Sequence, residues 1–248
     1  MLGTLSRGEM LMNLLSYFLS LMLAAYTVLV EPIARTNFYR NFKRQLNADR
    51  GARLLFYRTQ VLWEWSWVVV IVVIFVPKPE QLPLIGLALP NTIGWIILAA
   101  LLIGIGLSIF LLRRNPRAME NMRHNLEASS YLLPSTPLER RWYAIAAVTA
   151  GICEELLYRG YFIYFLRTNF SAFINDFIIL SIISGVVYGL SRAYQGMRGI
   201  SQTALTGFSF AIILFLSGSL LPAMAFHILA ELRNLYLWHP EDGKKRAK

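Results

Sequence analysis

The chain has 248 residues, 56% of them hydrophobic, with a mean hydropathy of +0.49. That is too apolar for an ordinary soluble domain, whose apolar share is about 45 to 50%, and it marks an all-α, multi-pass transmembrane helical bundle. The formal charge of +10 gathers between apolar runs, so it argues against nucleic acid as a partner and for the lipid bilayer.

In chain order, about seven runs are long enough to cross roughly 30 Å of hydrocarbon: 11–30, 61–76, 92–112, 142–166, 173–190, 200–217 and 220–238. The first is too long for a signal-peptide core and lacks a basic flank before it, so it reads as a retained span. The second is short and contains Glu64, but its "WEWSW" cluster suits the aromatic belt at a membrane interface. The connection 31–60 carries seven basic residues, Arg35 among them, against Glu31 and Asp49, and the connection 113–141 carries six arginines against three glutamates. Both are expected on the cytoplasmic side. The amino terminus is then outside and the basic tail inside, in a multi-pass protein of the cell membrane. In the fifth run Ser181, Gly185 and Gly189 form a small-residue stripe suited to close helix packing.

The fourth run contains "GICEELLYRG". A charged side chain at mid-bilayer costs about 2.5 to 3.5 kcal/mol on insertion scales, so the two glutamates and the arginine require a reason. Glu155 and Arg159 lie one turn apart on one helix face and are expected to neutralise each other. Glu154 points about 100° away and has no charged partner on its own helix, although Tyr158 sits one turn along as a hydrogen-bond donor. A lone desolvated carboxylate is the kind of base that works near neutral pH, so Glu154 is the expected general base. The last run supplies His227 and Glu231, again four apart. Arg192, one turn beyond Tyr188, reads most simply as a boundary arginine reaching for the headgroups.

"EELLYR", "YGLSRAYQG" and "AMAFHILAE", in that order, resemble the motifs of the CAAX protease and bacteriocin-processing (CPBP, also ABI) family of intramembrane endopeptidases. The resemblance covers roughly 142–238. It implies a CPBP-like catalytic core there; the apolar runs before it make a three-span amino-terminal region at 1–141, and a basic cytoplasmic tail follows at 239–248. It also implies Glu154 as the base that activates water, His227 as an oxyanion donor, and Glu155 and Arg159 in support. The implied substrate is a membrane-associated peptide or protein. Two positions depart from the family pattern: Tyr188 and Arg192 stand where Phe and His are usual, and Glu231 stands where Asn or Asp is usual.

An arginine cannot accept a proton, so a catalytically silent member that binds a partner without cleavage is the alternative. Two arrangements are open for the departures: Arg192 pairs with Glu231, or Arg192 faces the reacting carbonyl. No cofactor is expected. With His124 and His239 in a connection and the tail, two intramembrane imidazoles for a zinc site are lacking, and the single Cys153 gives neither a disulfide nor a thiolate cluster.

Overall fold

The computed structural model describes residues 7–46, 48–49, 51–127 and 130–238. The tail at 239–248, with His239, lies outside them. No strand occurs among the described residues.

The first helical run is α1 (Arg7–Ala25), a π-helical turn (Tyr26–Val30) and α2 (Glu31–Gln45). The expected connection after residue 30 is therefore helix for its first fifteen residues. Helix α3 (Ala52–Phe75) returns along α1, and a Ser16 hydroxyl bond to the Ile74 carbonyl at 2.7 Å ties the two. Helix α4 (Thr92–Arg114) begins at Asn91, whose side chain accepts from the Gly94 N–H at 2.8 Å. A second helix, α5 (Pro116–Glu127), occupies part of the connection that follows, with His124 exposed on it.

Helix α6 (Pro137–Glu155) has a strong start. Thr136 and Glu139 form a capping box, and Pro137 occupies the first turn, where its missing N–H costs nothing. A second π-helical turn (Leu156–Tyr161) and α7 (Phe162–Phe170) extend the run, so it is longer at both ends than the expected 142–166. Helix α8 (Phe177–Leu190) starts only where Asp176 accepts from the N–H groups of Ile178 and Ile179, which excludes 173–176 from the expected span. Helices α9 (Gly196–Ser217) and α10 (Leu221–Leu237) complete the bundle.

Each of the seven expected runs is helical over most of its length. Four runs among the described residues are long and apolar enough to cross a membrane: Met10–Gln45, Ala52–Phe75, Thr92–Arg114 and Ala193–Ser217. Phe177–Leu190 is a shorter apolar helix.

Two close approaches fix the half of the bundle that carries the polar groups. A Cβ at Gly185 would come within 2.6 Å of the Ala204 carbonyl oxygen, and one at Gly189 equally close to that of Ile200. The stripe read from the sequence is thus the α8–α9 contact. Gly151 plays the same part where α6 meets Ile228 of α10. Cys153 of α6 is fully buried, within electrostatic reach of Glu64 and Glu154.

Candidate active site

Glu154 and Glu155 end α6, and Arg159 lies in the π-helical turn that follows. Such wide turns are rare and frequent at functional sites. Glu155, Arg159 and Glu154 are all fully buried. The expected pairing of Glu155 with Arg159 is present, Nη1 standing 3.2 Å from Oε1. The arginine is also held by rings: its guanidinium lies 4.1 Å from the Tyr188 ring centre and 5.5 Å from that of Phe210. Cation–π attraction offsets part of the burial cost. Gly207 leaves room for this arrangement, since a Cβ there would lie 2.9 Å from Arg159 Nη2.

His227, from α10, places Nδ1 at 3.0 Å from Glu155 Oε1 and Nε2 at 4.0 Å from Glu154 Oε2. A carboxylate on one ring nitrogen orients the ring and selects which nitrogen is left for other work. The helices therefore gather Glu154, Glu155, Arg159 and His227 at one place.

Glu154 is not the lone carboxylate expected. Its Oε1 accepts from Arg35 Nη1 at 2.7 Å and from Arg192 Nη2 at 2.8 Å. Its Oε2 accepts from the Tyr188 hydroxyl at 2.6 Å and from the same Arg192 nitrogen at 2.9 Å. A carboxylate offers about four lone-pair sites, and these contacts use them. Tyr158 is not a donor here. No hydrogen-bond partner for its hydroxyl occurs among the described residues, and its ring packs 4.9 Å from that of Tyr188.

Arg192 does not reach outward. Following α8, it turns into the bundle, with 18% of its side chain exposed, and clamps Glu154 while also donating to the Tyr194 hydroxyl at 3.1 Å. Nor does it pair with Glu231, which accepts from the Tyr143 hydroxyl at 3.0 Å. Both residues at the first departure, Tyr188 and Arg192, thus converge on one carboxylate.

Three further charges come from the amino-terminal helices. Arg35 of α2 donates through Nε to Glu31 at 2.7 Å and reaches Glu64 of α3 at 3.5 Å as well as Glu154. Glu31 Oε2 accepts from Tyr26 and Trp63, and Glu64 Oε1 from Gln60. Sequence reasoning placed Glu31 and Arg35 in a cytoplasmic connection. Their spacing of four, the same as that of Glu155 and Arg159, was the available signal.

A cavity of about 510 Å³ opens onto this cluster, within the usual range for ligand sites. Arg35, Glu64, Arg192, His227 and Glu231 line it, alongside apolar rings such as Trp63 and Phe226. Glu154 and Glu155 lie behind that wall. Among the described residues, no group of three or more His, Cys, Asp or Glu is placed to hold a metal ion.

Residues 137–232 match the family model of type II CAAX prenyl endopeptidase Rce1-like proteins. That segment runs from the first turn of α6 into α10 and contains Glu154, Glu155, Arg159, Arg192, His227 and Glu231. No curated protein and no solved structure matches the chain. Over that segment the chain is similar to CAAX-type intramembrane proteases, and its long apolar helices make it a membrane protein in contact with lipid.

Proposed function

We propose that this Rce1-like chain is an intramembrane endopeptidase that hydrolyses a peptide bond in a membrane-associated peptide or protein drawn into the cavity. The observation that carries the reading is that Arg192 and His227 line one cavity, each held from behind by a fully buried glutamate.

Peptide hydrolysis needs a base for the attacking water and donors for the oxygen that gains charge at the carbonyl. In this reading Arg192 and His227 are those donors, His227 through the Nε2–H of the imidazolium, since Glu155 takes the Nδ1–H. Glu154 anchors Arg192, and Glu155 orients His227 through Nδ1. The four contacts on Glu154 leave it no lone pair for a water, so it serves as an anchor rather than as the base that the family resemblance implies. The amino-terminal region supports this core, its basic connections face the cytoplasm, and the chain resides in the cell membrane with its amino terminus outside.

A second reading has an observation of its own. With Glu154 saturated and Arg192 at the usual histidine position, the cavity would hold a partner without cutting it.

Wild type and His227→Ala, reconstituted with a library of membrane-anchored peptides, separate the two by mass spectrometry of new peptide ends. Ends produced by wild type and absent with the variant support the endopeptidase. Identical digests, with peptides still co-purifying, support binding alone. The double change Arg192→His with Glu231→Asn sharpens the result: it creates cleavage if the native chain is silent, and leaves cleavage equal or lower if the native chemistry is its own.

A further inference from the structure

Five glutamates surround or line the cavity, and their surroundings differ. Both oxygens of Glu31 are occupied, Oε1 by Arg35 and Oε2 by Tyr26 and Trp63. Both oxygens of Glu154 are occupied as well. Glu155 shares Oε1 between His227 and Arg159, and its Oε2 has no described hydrogen-bond partner, but it lies behind the cavity wall and does not face an occupant. Glu231 is on the wall but only partly buried, and it is bonded to Tyr143.

Glu64 is different. It is fully buried and lines the cavity, and its Oε1 accepts from Gln60 at 3.1 Å and stands 3.5 Å from Arg35. No described group hydrogen-bonds its Oε2. A buried carboxylate oxygen without a donor is costly, by more than the about 1 to 3 kcal/mol of a neutral group, which is the condition of a group that exchanges a proton.

The charges point the same way. The linked network has four carboxylates, Glu31, Glu64, Glu154 and Glu155, against three guanidiniums, Arg35, Arg159 and Arg192. A single proton would neutralise its one excess negative charge, and of the network's groups on the cavity wall Glu64 and His227 can take it.

We propose that Glu64, on a helix outside the Rce1-like segment, is the general base of the hydrolysis; this rests on the endopeptidase reading above. Glu64 Oε2 takes a proton from water as the water oxygen bonds to the peptide carbonyl carbon. The carbonyl π pair moves to its oxygen, which Arg192 and His227 stabilise. When that pair returns, the C–N bond breaks, and the Glu64 carboxyl gives its proton to the departing amine nitrogen. The products are a carboxylic acid and an amine, and Glu64 is again a carboxylate.

The test uses the full chain in proteoliposomes with a fluorogenic membrane-anchored peptide carrying the bond that wild type cuts. Glu64→Gln is expected to lower kcat by about 100- to 10,000-fold, with KM within about twofold, and to remove the acidic limb of the kcat profile. Glu64→Asp restores part of both. The groups facing Glu64 are Gln60 on its own helix, Arg35 of α2, Cys153 and Glu154 of α6, and Arg192. Glu231→Gln, on the same wall, is the control and keeps the acidic limb.

Dicyclohexylcarbodiimide, which reacts with protonated carboxyls in apolar surroundings, gives a readout in unmutated protein. It is expected to modify Glu64, to spare Glu154 and to stop cleavage. That labelling decides the matter if Glu64→Gln does not fold. Wild-type kcat and an unchanged acidic limb in Glu64→Gln overturn the proposal and leave the endopeptidase reading standing, and labelling that spares Glu64 also overturns it. A wild type that cuts no peptide overturns both.

Discussion

Two regions of this molecule bury a Glu–Arg pair at a spacing of four, each beside a π-helical turn: Glu31 and Arg35 just after one, Glu155 and Arg159 astride the other. In the Rce1-like segment the arginine is the local member, although Glu155 also binds His227. Arg159 serves one carboxylate, and the rings of Tyr188 and Phe210 enclose it. The amino-terminal pair is a junction, because Arg35 contacts carboxylates on α2, α3 and α6. The contrast teaches that the matched segment supplies the imidazole and two of the buried carboxylates, while the unmatched helices add Glu31, Arg35 and Glu64 to the same network. A site defined by residues 137–232 alone would leave Glu154 with one guanidinium instead of two.

The comparison is broken most directly at Arg35. Arg35→Ala removes the counter-charge from three buried carboxylates, and breaking one such pair costs about 3 to 5 kcal/mol. We expect at least that loss in unfolding experiments in detergent. The apolar double replacement Glu31→Gln with Arg35→Met should lose less, since removing both partners avoids an uncompensated charge. Equal losses would show that the amino-terminal pair is no junction.

Glu155→Gln should cost less than Arg35→Ala, about 2 to 3 kcal/mol, since the flanking rings still hold Arg159. Its main effect is expected on stability or expression. A fall in kcat is expected alongside it, because the amide holds the His227 ring less firmly; wild-type kcat in a well-folded Glu155→Gln would show that His227 needs no such anchor. Tyr188→Phe deletes one donor to Glu154 and keeps the ring over Arg159, so about 1.5 kcal/mol is expected, at the lower end for a bond to a charged group. A larger loss would mean that the hydroxyl, not the arginines, holds the carboxylate. The smallest effect expected is none: cleavage by the reconstituted protein survives exhaustive treatment with EDTA or phenanthroline. Loss reversed by one added metal would replace the carboxylate mechanism.

Much of the fold was legible because bilayer thickness imposes a length on apolar runs, and those runs became helices. The ends were less legible. Glu31 and Arg35 read as loop because charge after a hydrophobic run normally signals the end of a span, whereas here the charges satisfy each other and the helix continues. At the site, the Glu155–Arg159 pairing followed from helix periodicity alone. The state of Glu154 did not, since its partners Arg35, Tyr188 and Arg192 lie 119, 34 and 38 residues away, and only the three-dimensional packing brings them to it. Arg192 was placed at the headgroups because an unpaired arginine prefers water; its partner was the carboxylate assumed to be alone.

The single cysteine gives the protein a clock. Cys153 is fully shielded, close to Glu64 and Glu154 on either side of the α3–α6 seam, so a membrane-permeant thiol reagent meets it only when that seam parts. Once the rate no longer rises with reagent concentration, trapping outruns reclosing, and the speed at which the thiol disappears is the opening frequency of the seam, read without a mutation or a substrate. Reading that frequency with and without a peptide in the cavity would tell whether an occupant wedges the helices apart or clamps them shut.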